Sequence, residues 1–477
     1  MSDAPRIKLV EAQAFERDIP FRFAFRFGVA EVRTARQVFL RVQIADESGR
    51  TARGWSAEMM MPKWFDKNPD LTPQDNTNQL RRSLHLAMDA MANAGSGTAF
   101  GLHAAIEADH HRACAQEGLP GLIASFGLAL VDRAMLDALA RLCKLPVERL
   151  IQRNLAGITA QTAPDLQGFN LNTFLARRRI ASDIAVRHTV GLGDALVEED
   201  VSAPLDDGLP QTLEEVIAAY GHRYFKLKIG GDVSADIARL ERITSVLERL
   251  QPDYRATVDG NEQYRDEDHV LQFLEALESN RKLAPLRDKL LFLEQPIARA
   301  AALEAPMGRI SERVRLEVDE SDASMDAFVQ ARDLGYSGIS SKSCKGFYRA
   351  LLNRARIENW NTQNGRKRFF MSAEDLTTQA GVGLQQDLVQ AGLVGAEHVE
   401  RNGHHFVRGM AGAPETELRQ WSQLHGDLYR PLDGSLQLEI RGGRISLKSV
   451  AAATGLGVSV EPCWAAMEPM KREETAS

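Results

Sequence analysis

Tyr224-Phe225-Lys226-Leu227-Lys228-Ile229-Gly230-Gly231 alternates apolar residues with two lysines and then ends on two glycines. The alternation predicts a short strand, in which residues two apart project to the same side. Lys226 and Lys228 then point together, while Phe225, Leu227 and Ile229 pack the other side. Two ammonium groups buried side by side need opposing charge. That charge stands downstream, at the ends of three more predicted strands: Val258-Asp259-Gly260-Asn261, Phe292-Leu293-Glu294-Gln295-Pro296 and Val318-Asp319-Glu320-Ser321. A further lysine follows at Ile339-Ser340-Ser341-Lys342. Lysines on either side of three acidic strand ends point to a bound cation and a pair of bases, not to a surface charge pattern.

Working outward from these strands, the chain keeps one rhythm. Strands are predicted at 184–190, 224–229, 254–258, 290–293, 314–318, 338–342, 369–372 and 397–399, with helical stretches between them. Strand and helix alternate about eight times over roughly 220 residues, the cadence of a (β/α)₈ barrel. Upstream, Phe21-Arg22-Phe23-Ala24-Phe25-Arg26-Phe27 has period-two character, Gly28 allows a turn, and strands follow at 38–44 and 54–58. Residues 79–155 are predicted mostly helical; Leu128, Val131, Met135, Leu139 and Leu142 recur at three- and four-residue steps. The tail holds a helix and an alternating hairpin around Gly442-Gly443. The expected fold class is therefore α/β: a (β/α)₈ TIM-like barrel at 184–415, with an α+β capping domain built from residues 1–160 and the C-terminal segment 416–477. Segments 59–76 and 156–179 read as a loop and an inserted connection.

Composition narrows the function classes. The 477 residues are 44% hydrophobic and 26% charged, which fits a large globular chain and not a disordered one. A formal net charge of −7 without a basic cluster argues against a nucleic-acid binder. No apolar run is long enough to span a bilayer. Residues 1–18 mix charges and carry no signal-peptide-like apolar segment, so the expected location is the cytoplasm. Cys114, Cys143, Cys344 and Cys463 have no metal-like spacing and read as reduced thiols.

In such barrels, active sites sit at the carboxyl ends of the strands. Lys226, Lys228, Asp259, Glu294, Asp319 and Lys342 all fall there. Three converging carboxylates repel one another unless a divalent cation lies between them. Their hard oxygen donors suit Mg²⁺, and Mn²⁺ also fits.

The ordered set Lys226-x-Lys228, Asp259-x-Asn261, Glu294-Gln295-Pro296, Asp319-Glu320-Ser321 and Lys342 resembles the enolase superfamily. It looks most like its muconate lactonizing enzyme subgroup, within the mandelate racemase/muconate lactonizing enzyme-like proteins. Gly54-Trp55-Ser56-Ala57-Glu58, the helix around Ala129-Leu130-Val131-Asp132, and Gly455-Leu456-Gly457-Val458 extend the likeness over most of the chain. The resemblance implies that Mg²⁺ held by Asp259, Glu294 and Asp319 binds a small-molecule carboxylate substrate. It implies that a lysine removes the proton α to that carboxylate, giving an enediolate. Lys228 and Lys342 become the acid/base pair, with Lys226 as the neighbouring cation that helps keep the base neutral. Enolase-superfamily sites with a Lys or His base and Mg²⁺ are themselves a known pattern of pKa tuning. Racemisation or epimerisation, cycloisomerisation, and dehydration by β-elimination all fit this site. A catalytically silent barrel serving as a binding protein is the reading from another class. The resemblance also implies a homo-oligomer.

Outside the core set, several residues have two readings. Asn261 and Glu320 either orient the metal ligands or Lys342, or cap helices. Glu374, at the expected end of the seventh strand, either joins the site or belongs to a capped turn with Ser372 and Asp375. His398, Glu400, Arg401, His404 and His405 crowd the eighth strand; they form a solvated loop, or Arg401 and His398 contact the distal part of the substrate. Met60 and Trp64, in the Met-rich segment, either pack on their own domain or form a lid over a partly apolar substrate. His110-His111 reads as surface. The sequence departs from the family in having Phe347, after Lys345-Gly346, where a second glycine is usual, so Lys345 competes with Lys342 for the lysine role.

Overall fold

The computed structural model describes residues 4–27 and 30–471. Three antiparallel strands open the chain: β1 (Ile7–Phe27), β2 (Ala30–Asp46) and β3 (Thr51–Met60). Their alternation places one face on a helical layer and leaves the other more open. The turn expected at Gly28 lies outside the described residues. The helical layer is α1 (Pro73–Asn93), α2 (Ala99–Gln116) and α3 (Gly121–Leu142). Thr72 caps α1 in a reciprocal capping box with Asp75, which ends the Met-rich segment before the expected boundary. The apolar residues predicted to line α3 are buried from Leu128 to Leu139, and β3 lies directly on that helix. Gly54 permits the approach: a Cβ there would stand 2.3 Å from the Ala138 nitrogen. Buried Asp137 then ties three segments, accepting from the Trp55 N–H (3.0 Å), the Leu456 N–H (2.7 Å) and Arg141 (2.8 Å).

Eight parallel strands follow: β4 (Asp183–Val190), β5 (Tyr224–Lys228), β6 (Arg255–Asp259), β7 (Leu290–Glu294), β8 (Leu316–Val318), β9 (Gly338–Ser341), β10 (Phe370–Ala373) and β11 (His398–Glu400). β11 pairs with β4, which closes the barrel. The register sets the functional level. Lys228 stands opposite Asp259, and Asp259 opposite Glu294, so the charged strand ends share one height. The helices that follow β4, β5 and β6 begin on side-chain caps, Thr212, Asp232 and Asp266, that take up orphan N–H groups.

The tail differs from the expected hairpin. Tyr429–Leu432 pairs with Ser435–Leu438 around Asp433-Gly434, while Gly442-Gly443 leads into Arg444–Ser446, an antiparallel strand on the outside of β4. Both turns offer positive φ; around Gly442-Gly443 the pairing is limited to one antiparallel bridge between Arg441 and Arg444, because the residues that follow pair with β4 instead. Glu468–Pro469 returns to β1. The segment 156–179 holds one short α-helix, Leu171–Ala176, as expected. The four cysteines form no disulfide. Among the described residues, no helix is long and apolar enough to cross a membrane.

Candidate active site at the barrel mouth

Lys226 sits inside the ring of strands, and its Nζ meets four carboxylates. It lies 2.7 Å from Glu294, 2.9 Å from Asp259, 3.0 Å from Glu374 and 3.1 Å from Glu400. Lys228, two residues on and on the same face, donates to Asp259 at 2.5 Å. Burial alone would pull the Lys226 ammonium toward neutrality, but Asp259 and Glu294 outweigh it and hold its pKa well above the usual lysine range. For Asp259, burial acts upward and the two lysines bring it below the ordinary carboxylate range.

Lys342 follows β9 and faces these groups from across the barrel. It reaches Asp319 at 2.7 Å and Glu374 at 2.5 Å. Its pKa too is held well above normal, with Asp319 and Glu374 overcoming burial. Asp319 is in turn kept well below its usual range, since Lys342 and Lys345 outweigh its desolvation. Lys345 binds the Asp319 side chain (2.9 Å), the Asp319 carbonyl (2.7 Å) and Ser340 Oγ (2.7 Å). A cavity of about 30 Å³ lies between the two lysine groups, lined by Lys226, Lys228, Asp319, Lys342, Trp64 and Met61 among others. The Lys342 ammonium stands 5.2 Å from the centre of the Trp64 ring.

The loops carrying these residues are conformationally demanding. Asn261, Glu262, Gln295 and Thr377 all take positive φ without being glycine, and each follows a barrel strand. Such geometry persists only where the surroundings over-determine it. The Asn261 N–H is fixed on Asp259 (2.8 Å), and Gln295 accepts from the Asp319 (2.9 Å) and Ser321 (3.2 Å) N–H groups. The strain therefore serves to aim the carboxylates.

The donor set fits a hard divalent cation. Carboxylate oxygens of Glu294, Asp319 and Glu374 lie within 4.8 Å of one another, and Glu294 Oε2 is buried without a hydrogen-bond partner. The acids also exceed the bases that oppose them. Burial, followed by repulsion from neighbouring carboxylates, raises Glu294 well above its range, Glu317 to about 8 and Glu320 to about 7. Carboxyl groups driven toward the neutral form mark a site short of positive charge. Oxygen donors with no imidazole or thiolate suit Mg²⁺.

Residues 209–361 match a family model described as enolase C-terminal domain-like. This stretch of the barrel is enolase C-terminal domain-like. The whole chain is similar in fold to a mandelate racemase/muconate lactonizing protein from Herpetosiphon aurantiacus, with a TM-score of 0.59 at 16% identity, over 95% of this chain and 99% of that one. A muconate lactonizing enzyme from Mucobacterium smegmatis, complexed with muconolactone, superposes with a TM-score of 0.60 at 18% identity, over 97% of this chain and 100% of that one. An enolase from Bradyrhizobium complexed with magnesium and mandelic acid gives 0.59 at 16%, over 98% and 99%. A dipeptide epimerase from Enterococcus faecalis, complexed with Mg and L-Leu-L-Tyr, gives 0.58 at 14%, over 94% and 99%. At these identities the likeness concerns the fold. A search of curated proteins returns no match.

At the barrel mouth, Lys226, Lys228, Asp259, Glu294, Asp319, Lys342 and Glu374 are brought together. Asn261 and Glu320 adjoin them, joined by a 3.3 Å hydrogen bond, and Lys67 bonds the Asn261 carbonyl at 2.9 Å. Trp64 lines the cavity, but Met60 does not. Met60 is the last residue of β3 and is packed away, while Met61 takes the lining position. His398 begins β11 at the opposite, amino end of the barrel, where it stacks on Tyr224 and meets Arg187 at 2.7 Å. Arg401 is buried against Asp387 and Asp375 and does not line the cavity. His110, expected at the surface, is buried and bonded to the Ala124 carbonyl at 2.8 Å. Arg187 was not anticipated: it reaches Glu374 at 2.6 Å from inside β4. Its inward alternation with Thr189 was the available signal. Asn402 also joins, donating to Glu400 at 2.9 Å.

Proposed function

We propose that the protein is a Mg²⁺-dependent enzyme that removes the proton α to a substrate carboxylate, with Lys228 and Lys342 as its acid/base pair. The observation that carries this reading is the placement of the two lysines. They stand at the ends of β5 and β9, the second and sixth of eight strands, and both line one cavity. Residues four strands apart in an eight-stranded barrel face each other across the axis. A substrate carbon between them presents one face to each ammonium nitrogen.

Glu294 and Asp319 would hold the metal, with Asp259 or Glu374 completing the set. When bound, Mg²⁺ offsets the negative charge that develops on the substrate carboxylate. The chain supplies the rest. Lys228, oriented by Asp259, exchanges a proton with the substrate on one side. Lys342, oriented by Asp319 and Glu374, does so on the other. Lys226 stays charged among its four carboxylates and shares Asp259 with Lys228. Lys345 shares Asp319 with Lys342 and helps fix the carboxylate that orients it. Phe25, Met61 and Trp64 give the cavity an apolar wall opposite the charged strand ends.

Isomerase and lyase reactions share this first step. The test is α-proton exchange in D₂O with Mg²⁺, across a pool of carboxylic acids read by mass spectrometry. Wild-type exchange should fall by about 10²–10⁴-fold in Lys228→Ala and Lys342→Ala, the range typical of a lost general acid or base. Full exchange in both variants would refute the assignment.

A further inference from the structure

Behind the barrel wall, three histidines outside the proton-transfer chemistry meet at the seam where the barrel closes. His188 lies on β4, His222 in the segment leading into β5, and His404 in the turn Gly403–Phe406 after β11. Alternation along β4 explains the first. Arg187 and Thr189 reach inward to Glu374 and Glu400, so His188 points out.

All three rings are buried, and one ring nitrogen from each lies within 4.8 Å of the other two. His188 and His222 stack at 5.3 Å between centroids, and His404 approaches them at 5.6 and 5.5 Å. His188 Nδ1, both nitrogens of His222 and both nitrogens of His404 have no hydrogen-bond partner. The Val186 backbone is close enough to influence His222 but makes no well-formed bond to it. A neutral imidazole carries one donor and one lone pair, and burying both unmet is costly. Burial holds all three rings in the neutral form, so their lone pairs are available at ordinary pH.

We propose that His188, His222 and His404 form a second metal site, specific for Zn²⁺ or a similar borderline divalent transition ion and separate from the carboxylate site. The donors are imidazole nitrogens alone, which suit Zn²⁺ and offer nothing to hard Mg²⁺. Tetrahedral bonds of about 2.1 Å require nitrogens roughly 3.4 Å apart, so nitrogens within 4.8 Å of one another need to close by no more than about 1.4 Å. The fourth position is left to water or to His405, whose ring lies 5.1 Å from that of His188. Tyr220 covers the cluster at 5.3 Å from His404. The charge of Arg22, which acts on His404, is offset by both oxygens of Asp207 at 2.5 and 2.9 Å. A bound ion would tie the seam between β11 and β4 and fix the turn that follows Glu400 and Asn402, both of which line the active-site cavity.

The experiment uses the full chain, stripped with a chelator and then given excess Mg²⁺ to occupy the carboxylate site. Zn²⁺ is added, free metal is removed by gel filtration, and retained zinc is counted by mass spectrometry. The expected result is about one equivalent in the wild type and in Asp319→Asn, falling to near zero in a His222→Gln/His404→Gln double variant. Circular dichroism of metal-free samples checks that the double variant folds. Co²⁺ provides a reading on the wild type alone: intense visible bands of a four-coordinate nitrogen site are expected. Zinc absent from the wild type, zinc equally retained by a folded double variant, or only the weak spectrum of six-coordinate cobalt would each overturn the proposal.

Discussion

Replacing Lys226 with methionine removes a group that touches Asp259, Glu294, Glu374 and Glu400 together, at 2.7–3.1 Å. Methionine keeps the length of the side chain and deletes its charge. Removing one partner of a buried ion pair costs about 3–5 kcal/mol, because the remaining charge is left unopposed. Some of this cost is relieved by proton uptake, since Glu294 already holds its proton more tightly when folded than when unfolded. At about 2–4 °C per kcal/mol for a domain of this size, the midpoint of thermal unfolding in chelator should fall by roughly 6–20 °C at pH 8. The sign of the pH dependence follows from the raised carboxyl. Its stabilising contribution is complete below its unfolded pKa and is lost as pH rises through its folded pKa. The deficit of the variant should therefore shrink toward pH 5. Mg²⁺ supplies the missing charge and should restore the variant more than it stabilises the wild type. Melting curves at pH 5 and 8, with and without Mg²⁺, provide the assay. A shift below about 2 °C at pH 8, with no differential effect of Mg²⁺, would refute the view that these carboxylates depend on a cation.

Two further predictions rest on the same structure. Glu317 is raised to about 8, and Glu320 and Asp375 to about 7, with burial the largest cause in each case. Raised acids stabilise fully below about pH 4 and lose that contribution through pH 7–8, so the urea midpoint in chelator should fall between pH 6 and 9; a flat profile would contradict it. Gly54→Val places a Cβ 2.3 Å from the Ala138 nitrogen and 2.5 Å from the Ala134 carbonyl oxygen. Because both are helix backbone, overpacking of about 1–3 kcal/mol is the expected minimum, read as a lowered thermal midpoint.

The barrel was legible because its signal repeats. Each strand is short and apolar, and most end on a charged residue that burial would otherwise forbid. Lys226, Asp259, Glu294 and Asp319 could therefore be placed without any view of their contacts. What failed depends on single-residue register. β3 runs through Met60, so the lining position falls to Met61. β11 starts at His398, two residues before Glu400, which puts the histidine at the amino end and the glutamate at the mouth. A three-residue strand has too little alternation to reveal its direction or its level. Arg401 reads as an exposed charge in sequence, yet Asp387 and Asp375 from separate elements bury it. Lys345 was visible only as a competitor of Lys342. The structure gives it a supporting position, because the turn after β9 aims it at Asp319 and Ser340 instead of the cavity. The histidine cluster combines residues far apart in the chain, and no local pattern announces such a meeting.

Specificity for the acid should lie with the cap. Barrel strands supply charge, but Phe25, Met61 and Trp64 bring the apolar surface to the cavity. At about 30 Å³, the space admits water-sized occupants, so a substrate must displace part of that lining. Trp64 is the candidate because its ring meets both the cavity and the Lys342 ammonium at 5.2 Å. Trp64→Ala removes bulk over the site while leaving every charged residue in place. Exchange of bulky acids should rise relative to small ones by about 10–100-fold, the scale of one to three kcal/mol in an apolar pocket. Trp64→Leu preserves most of the apolar cover but loses the ring face, which separates packing from the cation–π contact. If both variants exchange the same acids in the same proportions as the wild type, substrate selection does not pass through this segment, and the loops after β10 and β11 become the place to look.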